Sequence, residues 1–184
     1  MAQTNRVKQW FGDRFSELDP LLQQLHEQGG ILTGPVQIST GRGMGRWMGR
    51  RLAKKLGIPL EAGQHTLTVQ IAHSERGLHW DRHFDKNYTV PSLFEPVGSI
   101  QQGCWLESIG PFQLQLTVDI KNGGWYWRCL RIRFKGLSVP AFLFPKTNAY
   151  KCIEQGAYRF HVSIQFPLIG TVLRYEGLLH LRLD

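Results

Sequence analysis

The chain has 184 residues, 42% of them apolar and 20% charged, enough for one domain with a substantial core and too few for two. Those fractions exclude a disordered chain, and no run approaches the roughly 20 apolar residues of a membrane-spanning helix. The net charge of +8 suggests nucleic acid until it is located: Arg42, Arg46, Arg50, Arg51, Lys54 and Lys55 share one acid-free segment, and without these six the count is 16 basic against 14 acidic residues.

Residues 1–17 read as an N-terminal extension to a single domain spanning 18–184. The first residues hold no apolar signal segment, so a cytoplasmic protein is expected. Cys104, Cys129 and Cys152 are odd in number, widely spaced and free of any CxxC. They predict reduced, mostly buried thiols rather than a disulfide framework or a zinc knuckle. Asp19 and Pro20 supply an N-cap and a first helical position, Leu21, Leu22 and Leu25 the apolar stripe, and Gly29-Gly30 the stop. A short strand is expected at residues 36–40, then the glycine-rich Gly41-Arg42-Gly43-Met44-Gly45 and a second helix to about Leu56, stopped by Gly57-Ile58-Pro59.

From residue 64 onward the pattern is antiparallel β. A tight turn at Ser74 to Gly77 pairs Ile71 with Trp80, Val69 with Arg82 and Leu67 with Phe84. Asn122-Gly123 is the preferred type I′ hairpin dipeptide, and it pairs Ile120 with Trp125, Val118 with Trp127 and Leu116 with Cys129. A third turn at Pro167-Leu168 sets Tyr158, Phe160, Val162, Ile164 and Phe166 against Gly177, Tyr175, Leu173, Thr171 and Ile169, with Arg159 facing Glu176 on the other side. Residues 139–145, rich in Pro and Phe, read as a loop or edge crossing. The expected fold is α+β: one domain, a large curved antiparallel sheet of about eight to ten strands, and two helices packed on its concave side.

The most informative run is Leu78-His79-Trp80-Asp81-Arg82-His83-Phe84. Strand side chains alternate, so Arg82 shares a face with Leu78, Trp80 and Phe84. A guanidinium among such neighbours needs a carboxylate, carbonyls or a ligand. Glu107 shares a face with Trp105 and Ile109, which makes it the expected partner. Two readings follow: a polar anchor for a ligand in a pocket lined by Trp80, Phe84, Trp105 and Tyr175, or an ion pair that only fixes the sheet register.

The second helix is amphipathic, with Met44, Met48, Leu52 and Leu56 on one stripe and Arg42, Arg46, Arg50 and Lys54 on another. The basic stripe is a candidate anion- or partner-binding face for an anionic membrane surface or a partner protein; the competing reading is a solvated face. Confinement to one helix, without a recognised motif, argues against nucleic acid. The glycine segment opens this helix as a phosphate loop would, but antiparallel strands follow instead of the parallel unit a dinucleotide site needs. No cofactor is expected. His79, Asp81 and His83 share the opposite strand face and have the chemistry of metal ligands, but their neighbours Thr68, Gln70 and Ala72 offer no supporting shell, and no metal is expected. No nucleophile elbow is present.

Five segments in order carry a family resemblance: residues 18–26; the glycine-rich basic segment ending in Leu56-Gly57-Ile58-Pro59; Trp80-x-Arg82-x-Phe84; Glu107-x-x-Gly110-Pro111; and Tyr175-x-Gly177-x-Leu179. On these the chain resembles a bacterial family known as domain of unknown function 4166. The resemblance implies no established catalytic mechanism. It also implies that the domain can be appended to larger proteins, some with an oxidoreductase-like part absent here. His79 and His83 occupy variable positions of the Trp-x-Arg-x-Phe motif.

These readings converge on a non-catalytic binding module, holding an apolar or amphiphilic small molecule or docking on a partner. The alternatives are an enzyme domain using Arg82 and Glu107 in a cavity, and an accessory domain of an oxidoreductase-like partner.

Overall fold

The computed structural model describes residues 5–140 and 144–182. Among these residues, three helices and a short 3-10 turn accompany twelve strands, all in one antiparallel sheet. Helix α1 (Arg6–Phe11) leads into the 3-10 turn (Gly12–Glu17) and α2 (Pro20–Gln28). Asn5 caps α1 and Asp19 caps α2, each accepting from a backbone N–H of the first turn. Strand β1 (Gly30–Thr40) and α3 (Met44–Leu56) follow.

The remaining strands are β2 (Gly63–His73), β3 (Leu78–Phe84), β4 (Tyr88–Val90), β5 (Leu93–Val97), β6 (Cys104–Ile109), β7 (Phe112–Lys121), β8 (Gly124–Phe134), β9 (Leu137–Val139), β10 (Lys146–Glu154), β11 (Ala157–Phe166) and β12 (Gly170–Leu181).

The expected curved sheet is a closed barrel. Ten strands form the ring, in the order β10-β11-β12-β1-β2-β3-β5-β6-β7-β8, and β8 pairs with β10 to shut it. The seam consists of Ala149↔Trp127, Tyr150↔Tyr126 and Lys151↔Trp125. Closure removes the two long exposed edges that an open sheet would leave. The short β4 and β9 lie outside the ring, on β3 and β8. Of the 139–145 stretch, residues 141–143 lie outside the described residues.

Because ring strands alternate in direction, each connection belongs to one of two ends. The N-terminal helices cover the end holding the β2–β3, β5–β6, β7–β8 and β10–β11 turns. There Asp19 N–H donates to the Gly123 carbonyl, Ile100 N–H to the Trp10 carbonyl and the Tyr158 hydroxyl to the Leu21 carbonyl. Residues before Leu18, expected as an extension, supply Val7, Trp10, Phe11 and Phe15 to the core. Helix α3 lies at the opposite end, between the end of β1 and the start of β2, against β12. The helices thus sit at the two mouths instead of on one concave face.

Two predicted hairpins have the predicted registers. Asn122 and Gly123 both have positive φ, as a type I′ turn requires. The third register is displaced by two residues: Phe160 pairs with Gly177, Val162 with Tyr175 and Ile164 with Leu173. One residue comes from the turn, where Phe166 pairs with Gly170 rather than Ile169, and one from a bulge after Ile164. Two single-residue displacements preserve the parity of the faces, so the same side chains stay inside. The bulge skips Val172, which is fully buried and sits beneath α3 at Gly49. The expected Arg159–Glu176 contact survives as a diagonal ion pair of 3.4 Å, while His161 takes the directly opposed place.

The thiols depart from expectation. Cys129 is exposed, and Cys104 and Cys152 are only part-buried: Cys104 and Cys152 fall on the strand face that looks away from the barrel core, while Cys129, opposite Leu116, sits where a bulge interrupts the β7–β8 ladder.

Candidate functional site

The barrel interior holds two polar clusters among its rings. The first, in the half nearer α3, centres on Arg82. Its sheet neighbours Val69 and Val90 offer no acceptor. Nη1 donates to the Tyr175 hydroxyl at 3.0 Å and Nη2 to the Ser92 hydroxyl. Ser92 reaches this point because β4 ends at Val90 and the chain turns inward before β5; its carbonyl also accepts from Trp80 N–H.

Glu107 is buried nearby. Burial lifts its carboxyl above the usual range, against the opposing pull of Arg82 and Ser92. Burial also weighs against the Arg82 charge, but Tyr175 and Glu107 outweigh it and raise its pKa. The expected direct ion pair is thus replaced by a contact through Ser92. Phe84 packs edge-on against Tyr175 at 5.4 Å, and Trp80 and Trp105 are also buried.

The second cluster lies under α2, and the sequence reading missed it. Lys151 is only 5% exposed, and its Nζ sits 3.9 Å from the ring centre of Trp80 and 4.0 Å from that of Trp125. His26, reaching down from α2, stacks on the same two rings at 5.7 and 4.6 Å. Among the described residues, neither nitrogen of His26 nor the indole nitrogen of Trp125 has a hydrogen-bond partner.

Two tryptophan faces favour an ammonium by about 0.5–2 kcal/mol each. Burial without an anion costs several kcal/mol more and pushes the Lys151 amine well below the usual lysine range. His26 is likewise held well below its ordinary value, by burial first and then by Lys151 and His73. The signal was available: Ala149, Lys151 and Ile153 alternate as Trp80, Arg82 and Phe84 do.

The basic candidates lie on the outside, at the α3 mouth. Arg42, Arg46 and Arg50 line a cleft of about 590 Å³ together with Thr40, Gly41 and Glu61. Lys54 lies one turn beyond Arg50 on the same stripe, and Arg51 stacks over Trp47 at 4.2 Å. Met44 and Trp47 point away from the barrel, 67% and 56% exposed. The buried face of α3 is instead Gly45, Gly49 and Ala53, which lets the helix lie close on β12. A β-carbon at Gly49 would overlap the Val172 carbonyl oxygen.

Leu168, fully exposed in the β11–β12 turn, adjoins this surface because Ile169 packs against Gly45. Phe134 and Leu137, exposed beside the β8–β9 turn, lie at the same mouth.

His79, Asp81 and His83 face outward. His79 hydrogen-bonds Ser74, His83 hydrogen-bonds Thr89, and Asp81 accepts from Ser92 N–H. Among the described residues no group of three or more such side chains is arranged to hold a metal, and no helix is long and apolar enough to cross a membrane.

A family model described as Domain of unknown function (DUF4166) matches residues 18–179. No curated protein matches the chain.

Proposed function

The chain belongs to the DUF4166 family, and from that premise, which carries no activity with it, we propose a non-catalytic docking module that seats on an anionic lipid surface through its α3 mouth. The observation that supports this is the coincidence of charge and exposed apolar side chains. The six basic residues of the acid-free segment lie on or just before the helix that exposes Met44 and Trp47, with Arg51 stacked on Trp47 and exposed Leu168 in the turn next to Ile169, which packs at Gly45.

A helix whose outer face is only solvated has no use for an exposed tryptophan and methionine. A surface that meets headgroups uses both: rings and aliphatic tips enter the interface, and cations remain at the phosphates. A nucleic-acid surface would want the cations without the aliphatic tips.

Each basic residue close to an anionic bilayer contributes about 1 kcal/mol. Replacing Arg46, Arg50 and Lys54 by Gln should therefore weaken binding about a hundredfold. Sedimentation with phosphatidylcholine vesicles, with and without phosphatidylserine, tests the reading. Binding is expected only with phosphatidylserine at about 0.01 M salt. It should fade towards 1 M, where screening shortens from about 30 Å to about 3 Å. Trp47→Ala should weaken it separately. Failure of the wild type to bind at low salt overturns the proposal, as does equal binding by the triple variant.

A further inference from the structure

We propose that the cleft beside α3 binds a phosphate monoester carried on a polyol, with Arg42, Arg46 and Arg50 on the phosphate and Glu61 on the hydroxyls. This site deepens the docking reading and rests on it for its place at a surface, but it takes one head group rather than a field of charge.

Three observations carry it. First, the cleft selects among the cations of its segment. Its volume of about 590 Å³ is lined by Arg42, Arg46 and Arg50, whereas Lys54 and Lys55 lie outside it. Sites for small ligands span roughly 300–1,000 Å³. A guanidinium grips two phosphate oxygens at once through its planar fork, and an ammonium does not.

Second, none of these arginines has a carboxylate partner among the described residues, although Arg14, Arg76, Arg128 and Arg159 each pair with an acid. Arg46 and Arg50 stand four residues apart on α3, with Arg42 just before it. Like charges at that spacing oppose each other, and a dianion between them removes the opposition.

Third, both walls are fastened. Gly41 N–H donates to the Val172 carbonyl at 3.2 Å, which holds the end of β1 against β12. Across the cleft, His65 hydrogen-bonds the Asp85 carboxylate at 2.8 Å and the Glu61 carbonyl at 3.0 Å. A cleft with fixed walls loses little freedom when a ligand enters.

Glu61 decides the class of ligand. Its carboxylate repels a bare phosphate but accepts hydrogen bonds from hydroxyls, and the Thr40 hydroxyl offers a further polar contact. A molecule carrying both groups satisfies arginines and carboxylate together. Free sugar phosphates and phosphorylated inositol head groups share this chemistry.

Isothermal titration at pH 7 with glucose 6-phosphate, inorganic phosphate and glucose is the test. Glucose 6-phosphate should bind about tenfold more tightly than inorganic phosphate, and glucose not at all. Arg46→Lys keeps the charge but loses the fork, and should weaken glucose 6-phosphate by about tenfold or more. Glu61→Gln should strengthen inorganic phosphate and narrow its gap to glucose 6-phosphate. Both side chains are exposed, so circular dichroism should show the fold unchanged.

Vesicles of phosphatidylcholine with phosphatidylinositol 4-phosphate, matched in charge to phosphatidylserine vesicles, separate the two sources. Preferred sedimentation with the phosphoinositide, competed by glucose 6-phosphate, assigns a lipid head group; titration without that preference assigns a free sugar phosphate. Absence of glucose 6-phosphate binding, no advantage over inorganic phosphate, or an Arg46→Lys protein equal to wild type overturns the proposal. Phosphatidylserine binding that persists in that case leaves the docking reading standing, and a wild type that binds neither probe overturns both.

Discussion

Arg82 donates to the Tyr175 hydroxyl at 3.0 Å and so ties β3 to β12, two strands that the ring keeps apart by β1 and β2. This bond crosses the core, where the ladder pairs only neighbours. It makes the polar cluster a brace of the closed barrel, with Ser92 and Glu107 as its further anchorage.

Arg82→Met should remove the brace and leave Glu107 buried without its cation. Breaking a buried charged contact costs about 3–5 kcal/mol, or roughly 6–20 °C of Tm for a chain of this size. Tyr175→Phe removes one hydrogen bond to a charged group, worth about 1.5–3 kcal/mol, and should cost less. Thermal unfolding by circular dichroism checks both; an Arg82→Met protein as stable as wild type would refute the role.

His26 sets an acid limit on stability. The folded protein resists protonating it, so the unfolded chain binds more protons from about pH 6.5 down to the depressed folded value. Stability therefore falls as pH drops through that window. His26→Phe keeps a flat ring on Trp80 and Trp125 and should flatten this limb. His73, also depressed by burial, leaves a smaller remainder. Urea midpoints at pH 5 and pH 7 decide it: an undiminished pH dependence in the variant contradicts the assignment.

Lys151 acts in the same direction at higher pH, between its lowered folded value and about 10.4. Lys151→Met puts a polarisable apolar chain between the same rings and should raise stability by about 1–3 kcal/mol, as replacement of desolvated charges by well-packed apolar groups does. A lower Tm for the variant would mean that the ammonium, held by its two indoles, is a net stabiliser.

Gly49→Ala gains about 1 kcal/mol of helix propensity, yet it should destabilise. Its new methyl meets the Val172 backbone, which the β11–β12 bulge places under α3, and overpacking of this kind costs about 1–3 kcal/mol. A Tm above wild type would show that α3 can ride outward without loss.

The hairpins were legible because turn chemistry and face alternation are local. Asn122-Gly123 fixes one register, and a slip of one residue at the first turn would expose Trp80 and Phe84. The β11–β12 offset was not legible, since a longer turn and a bulge together leave the pattern of faces unchanged. Closure was hidden for another reason: the β8–β10 seam joins residues more than twenty positions apart through three pairs, with no turn to announce it. Arg82 was found because aromatics flank it. Lys151 was passed over because Ala149 and Ile153 are quieter neighbours, and the tryptophans that enclose it arrive from other strands. The arginines were seen from spacing, but their company of Met44, Trp47 and Leu168 depends on which face α3 buries, and that is decided by three small residues.

The helices at the two mouths also separate the described termini from α3. Arg6, at the start of α1, reaches the Glu75 carbonyl in the β2–β3 turn, and Arg182, after β12, hydrogen-bonds back to Ile31 at the start of β1. The first and last described stretches of the chain therefore both lie at the mouth closed by α1 and α2, with the length of the barrel between them and α3. A polypeptide fused at either end would be held at standoff from whatever α3 touches. The barrel would then act as a rigid spacer, orienting its passenger away from the contact it makes.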